Sequence, residues 1–300
     1  MSLPQPSANQ AYCNVSALEG GQLSIAEEAI KRPFTSGVML SMPSLCFLLQ
    51  HSTRKEKFVF DLGIRRDVEN YPDVVAKQIQ SGITPCEVPQ DVVESLARGG
   101  LGPDDIDYVA ISHLHFDHIG DPSLFKKSTF LLGEDSRILN SAQAGFPVNS
   151  QAAFASDVPP SSQTRFLSPE GWSAVGPFPR ALDFYGDGSL YIIDSPGHLP
   201  GHINVLARTS SDGSWVYLAG DSCHHCSILS GEANIAVGAP WNPRYCVHED
   251  LARTEKHLKH IQKLKTFPKV HVLLAHDTPW YLENKDGPAF FPGKLDPRKD

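Results

Sequence analysis

His113-Leu114-His115-Phe116-Asp117-His118 decides the reading of this chain. The stretch follows Tyr108-Val109-Ala110-Ile111-Ser112, an apolar run that reads as a central strand buried on both faces. Three imidazoles and a carboxylate within six residues are too many polar groups for a core. Burying them unpaired would cost several kcal/mol. Imidazole and carboxylate are the ligands that Zn²⁺ and similar borderline cations take, so the segment reads as part of a metal centre.

Working outward, three further candidate ligands stand at strand ends. His202 opens the strand Ile203–Ala207, after the turn Pro196-Gly197-His198-Leu199-Pro200-Gly201. Asp221 follows Trp215–Ala219, and His276 follows Val270–Ala275. Strand ends let a rigid sheet aim side chains from distant sequence at one point. Leu45–Leu49, Phe58–Asp61 and Leu190–Ile193 complete the strand pattern, and Pro89–Arg98 reads as a short helix ended by Gly99-Gly100. The clearest helix runs from Val247 to about Lys265, with Val247, Leu251, Leu258, Ile261 and Leu264 on its apolar face. Residues 141–180 break the pattern, with six prolines interleaved with Phe146, Phe154, Phe166, Trp172 and Phe178. They read as a Pro-rich insertion within a single domain spanning residues 1–300, either a lid over a pocket or peripheral packing.

The whole chain has 300 residues, 41% hydrophobic and 20% charged, enough for a large core. Its net charge of −8 lacks the basic footprint of a nucleic-acid binder. No signal peptide and no membrane span is expected. Six scattered cysteines fit reduced thiols in a cytoplasmic enzyme.

Taken in order, His113-x-His115-x-Asp117-His118, His202, Asp221 and His276 resemble the metallo-β-lactamase superfamily of metallohydrolases. The resemblance implies an α/β fold, an αβ/βα sandwich of two mixed sheets with helices on the outer faces. It also implies two divalent metal ions, zinc first, with iron or manganese as alternatives. His113, His115 and His202 would hold the first metal, Asp117, His118 and His276 the second, with Asp221 bridging. Two divalent ions bring four positive charges. Asp117, Asp221 and a bridging hydroxide cancel three, leaving one to polarise a substrate carbonyl.

Within that superfamily the chain is most similar to the N-acyl homoserine lactonase-like group, which includes fungal lactamase relatives. The likeness rests on the 113–118 segment, Phe60-Asp61-Leu62-Gly63, residues 195–202, Ala275-His276-Asp277 and the loop Lys31–Ser44. The resemblance implies hydrolysis of a small-molecule lactone or lactam by the metal-bridging hydroxide, with Asp117 as proton shuttle. An acyclic ester or thioester hydrolase acting on an acyl carrier or small thioester is the alternative. His224 stands where the group carries a Tyr, and an imidazole there is suited to protonating a leaving nitrogen.

Other residues read more plainly. His198 is expected as a hydrogen-bonded turn residue or a support behind the ligands. His257 and His260 are expected at the wet face of the long helix, and His271 on a strand surface. Phe116, Trp280 and Tyr281 are candidate pocket walls, Phe116 equally a core residue. Cys223-x-x-Cys226 is a lone pair of thiols, too little for a zinc site.

Overall fold

The computed structural model describes residues 2–141 and 144–297. Two six-stranded sheets dominate, and in both the spatial order follows the chain. The first contains β1 (Cys13–Leu18), β2 (Cys46–His51), β3 (Lys57–Phe60), β4 (Tyr108–Ala110), β5 (Thr129–Gly133) and β6 (Thr164–Leu167). The second contains β7 (Ser173–Val175), β8 (Phe178–Asp183), β9 (Leu190–Asp194), β10 (Ile203–Arg208), β11 (Trp215–Leu218) and β12 (Val270–Leu273). Both are mixed: β1–β3 pair antiparallel and β3–β6 parallel. In the second sheet only β11 and β12 pair parallel.

Alternation along the strands builds three apolar layers. In β2, Phe47 and Leu49 join the layer between the sheets, with Phe58, Phe60, Val205 and Leu218. Cys46 and Leu48 pack outward with Val75, Ile79, Val92 and Leu96, from the helices Asp73–Gln80 and Val92–Ala97. On the outer face of the second sheet, Leu206 and Tyr217 meet Leu258, Ile261 and Leu264 of the helix Leu251–Leu264. A buried Leu or Phe contributes about 1.5–3 kcal/mol, so these layers dominate stability. This is the four-layer αβ/βα architecture.

Two expectations shift. The long helix begins at Leu251, because Asp250 caps it and accepts from the Arg253 N–H at 3.0 Å. The residues just before it are drawn onto the 197–198 turn, Glu249 N–H to His198 O at 3.0 Å and Asp250 N–H to Gly197 O at 2.9 Å. Gly197 has φ 138°, and a Cβ there would lie 2.4 Å from Thr254, so only glycine allows this approach. Second, the Pro-rich stretch is not one long loop, since β6, β7 and the start of β8 come from it. Buried Leu167, Val175 and Phe178 anchor those strands, and Pro179 sits beside a register shift, where a missing N–H is tolerated.

The C-terminal segment runs beside β1. Ala17 N–H donates to Ala289 O, Phe291 N–H to Ala17 O and Leu295 N–H to Val15 O, at 2.8–3.0 Å. The six cysteines are free. Among the described residues no helix is long and apolar enough to cross a membrane.

Candidate metal centre

The pairing directions aim the C-terminal ends of β3, β4, β9, β11 and β12 to one side, and the chemistry-bearing residues follow those ends. Asp61, just after β3, adopts φ 64°. Its carboxylate accepts the Ser112 N–H at 2.6 Å and holds His118 Nδ1 at 2.9 Å. After β4 come His113 and the short helix Phe116–Ile119 with Asp117 and His118. Asp221 follows Gly220 (φ 46°), where a Cβ would crowd His202 Nε2 at 2.8 Å. His276 ends the set, its Nδ1 donating to Pro43 O at 2.7 Å.

Asp221 Oδ2 lies at the middle. It is 3.1 Å from His224 Nε2, 3.3 Å from His118 Nε2 and from His276 Nε2, 3.6 Å from His198 Nε2 and 3.7 Å from His113 Nε2. Two groups of possible ligands share it, His113/His115/His198/Asp221 and Asp117/His118/Asp221/His276, each with donor atoms within 4.8 Å of one another. Asp117 Oδ2 closes the second group, 3.4 Å from His276 Nε2 and 3.5 Å from His118 Nε2.

The donor set fits cations. His113 Nε2, His115 Nδ1 and His198 Nε2 form a triangle with sides of 2.9, 3.0 and 3.0 Å. A neutral imidazole has one N–H, and His113 presents its Nδ1 to Ser112 Oγ at 2.9 Å, a contact that lets it turn a bare Nε2 into the triangle. His118 Nε2 and Asp221 Oδ1 are buried with no hydrogen-bond partner. Divalent ions would resolve both situations.

Electrostatics divides the two groups. Burial and neighbouring imidazoles push His113 and His198 well below the usual histidine range, and burial takes His115 down to about 4. Burial also opposes charge on His118 and His276, yet the facing Asp221 and Asp117 carboxylates raise both, His118 strongly. Although burial favours their neutral forms, the same imidazoles hold Asp117 low and Asp221 well below the usual carboxylate range.

Six of the seven residues singled out as ligands therefore meet: His113, His115, Asp117, His118, Asp221 and His276. His202 does not join them. Its Nδ1 donates to Ser195 O at 3.0 Å and its Nε2 accepts the Asp221 N–H at 3.4 Å, so both nitrogens serve the backbone. His198, four residues earlier, takes the vacant corner, because the 249–250 segment clamps the 197–198 turn toward the site.

Two residues of the site went unread. Asp61 stood inside the quoted 60–63 segment, and its place at a strand end was the available signal. His248, whose Nδ1 lies 3.1 Å from His198 Nδ1, gave none. His224 is at the centre, stacked on His276 with ring centroids 5.6 Å apart.

The remaining candidates divide. His257 is buried, contrary to expectation, its Nε2 3.1 Å from the Tyr217 hydroxyl. His260 is half-buried. Phe116 packs edge-on against Tyr71. Trp280 faces elsewhere, lining a cavity of about 340 Å³ with Trp215 and His271, and Tyr281 bonds Glu19. His225, between Cys223 and Cys226, caps the helix Cys226–Ser230, and among the described residues the candidate metal groups include no cysteine. From the Pro-rich stretch, the Phe154 ring lies stacked over His115, centroids 6.0 Å apart.

Comparison with known proteins bears on the family and the fold. Among curated proteins, the chain is 32% identical over 299 residues to cytochrome P450 monooxygenase mpaDE of Penicillium brevicompactum, covering 92% of this chain and 34% of that protein. The chain thus spans about a third of that relative. It is 36% identical over 184 residues to gamma-lactamase MBL2 of Gibberella moniliformis (strain M3125 / FGSC 7600), covering 56% of this chain and 71% of that one. A solved N-acyl homoserine lactone hydrolase, with N-hexanoyl-L-homoserine bound at its catalytic metal centre, has the same fold. Its TM-score is 0.67 at 18% identity, over 98% of this chain and 100% of that one. With the family model for the metallo-beta-lactamase superfamily matching residues 41–229, well over half its length, the chain belongs to that superfamily.

Proposed function

We propose that this chain is a dinuclear metal-dependent hydrolase that opens a small cyclic ester or amide. The observation that carries the reading is Asp221 Oδ2 standing between the two ligand groups, within 3.7 Å of imidazoles from both. His113, His115 and His198 would hold one divalent ion and Asp117, His118 and His276 the other, with Asp221 shared. Nitrogen and oxygen donors suit zinc first, then iron or manganese. When bound, such a pair supplies Lewis acidity and a water ionisable at neutral pH.

The chain's own residues do the rest. Asp117, kept ionised by His118 and His276, would turn Oδ2 to the metal and use its other carboxylate oxygen to accept a proton and pass it to the leaving oxygen or nitrogen. His224, whose Nε2 contacts Asp221 Oδ2 at 3.1 Å and whose Nδ1 is buried with no hydrogen-bond partner, would donate to the leaving atom. Phe154 over His115 supports a covering role for the irregular part of the Pro-rich stretch, which would exclude water from the ring-opening step. A relative named gamma-lactamase and a structural neighbour titled as a lactone hydrolase support cyclic substrates.

Metal analysis of the purified protein, paired with a panel of lactones, lactams and thioesters, tests this. Two divalent ions per chain and faster ring opening than thioester cleavage are expected. Fewer ions would remove the dinuclear reading, and a preference for open-chain thioesters would replace the substrate. His224→Ala is expected to slow turnover of the preferred ring while leaving both metals in place; unchanged kinetics would retire its role.

A further inference from the structure

Each imidazole that points a bare nitrogen into the site needs an acceptor behind it, so that its single proton stays on the far nitrogen. Three of these acceptors are of ordinary kinds. Ser112 Oγ stands behind His113, the Asp61 carboxylate behind His118 and the Pro43 carbonyl behind His276. Behind His198 stands another imidazole, with His198 Nδ1 3.1 Å from His248 Nδ1.

The pair is held firmly. The main-chain bonds from Glu249 to His198 and from Asp250 to Gly197 lock the two segments in register, and His248 is 3% exposed. Unlike a carbonyl or a carboxylate, an imidazole can either accept or donate across this contact. If His248 donates, His198 must carry its proton on Nε2, pointed at His113 and His115, and cannot bind a cation. If His248 accepts, His198 Nε2 is bare and the proton of His248 moves to its own Nε2, an atom that is buried with no partner.

We propose that His248 is a positioning residue: it accepts the Nδ1–H of His198 and so turns the His198 Nε2 lone pair toward the first metal position. This rests on the dinuclear reading above, and it adds a determinant of metal retention supplied by the loop before the long helix. His198, His224 and His248 also lie close enough together to be ligands of one ion; here His248 takes the place behind His198 and none on a metal.

The test compares His248→Phe with His248→Asn in the full chain. Phe fills the space but cannot accept. Asn places its amide oxygen the same number of bonds from Cα as Nδ1. After dialysis against a weak chelator, the unaltered protein and H248N are expected to keep two zinc ions. H248F is expected to keep about one, with affinity for the other lowered about 10–100-fold. If H248F holds both ions as tightly as the unaltered protein, or if H248N loses as much as H248F, the proposal is overturned. If the unaltered protein itself binds fewer than two, the dinuclear reading fails first, so the two failures are distinguishable. A measurement that needs no variant guards against misfolding: ¹⁵N spectra of histidine side chains in the zinc-loaded protein should show His248 with its proton on Nε2. A proton on Nδ1 would refute the assignment.

Discussion

The two candidate ligand groups share a carboxylate and draw on the same donor types, yet they hold protons in opposite ways. Around His113, His115 and His198, three imidazoles face the single carboxylate of Asp221, and burial keeps the rings neutral. Around His118 and His276, the Asp117 and Asp221 carboxylates face two imidazoles, with a third carboxylate, Asp61, behind His118, and the rings are driven toward the charged form. The difference teaches that ligand identity alone does not set how a site competes with protons; the ratio of carboxylates to imidazoles does.

The largest expected effect comes from the shared group. Asp221→Ala should release both metals and lower turnover roughly a thousandfold or more, read by metal content and single-substrate kinetics. A variant that kept one tightly held ion would break the picture of a common carboxylate. Next come the substitutions that separate the halves. Asp117→Asn should cost roughly 10²–10⁴-fold in rate while the imidazole-rich half keeps its ion. His198→Ala should lose that ion, whereas His202→Ala should keep both and cost about 1–3 kcal/mol of stability through its lost buried hydrogen bonds. Metal loss from His202→Ala rather than His198→Ala would reverse the allotment.

A smaller effect is a difference in pH dependence. His118 and His276 have raised proton affinity, so ion uptake there competes with protons and should tighten as pH rises. His115, already neutral above about pH 4, gives its half little reason to respond over the same range. Zinc titrations at several pH values, in buffers of different ionisation heat, would reveal one pH-dependent and one nearly flat site. Two equally dependent sites would erase the contrast.

Smallest is a stability effect beneath the imidazole-rich half. Burial pushes His257 down to about 3, so the folded state refuses a proton that the unfolded chain accepts near pH 6.5. Its contribution is complete above that value and is lost as pH falls toward 3, by at most about 1.4 kcal/mol per unit. His257→Gln should remove one proton's worth of that slope in urea unfolding between pH 7 and pH 4.

What the sequence discloses follows from how local each cause is. The 113–118 segment was legible because its ligands ride on one strand end and one short helix. The strands were legible because both their faces are apolar. The chain alone ranks His202 above His198 as a ligand, and the structure brings His198 to the site instead. Both follow a glycine in the same turn, and the choice between them is made by residues 249–250, which approach from another part of the fold. His248 arrives on that same loop. His257 was readable and misread: Thr254, His257, Leu258 and Ile261 share one helical stripe, which the neighbouring lysines disguised.

The segment beside β1 carries a consequence for solution behaviour. As the outermost strand of its sheet, β1 would otherwise offer a row of free amides and carbonyls as a template for another molecule. Residues 289–295 occupy part of that row. Cutting the chain at residue 288 should therefore leave the site's histidines in place while making the protein prone to stick to itself, a fault that begins only 13 residues past His276.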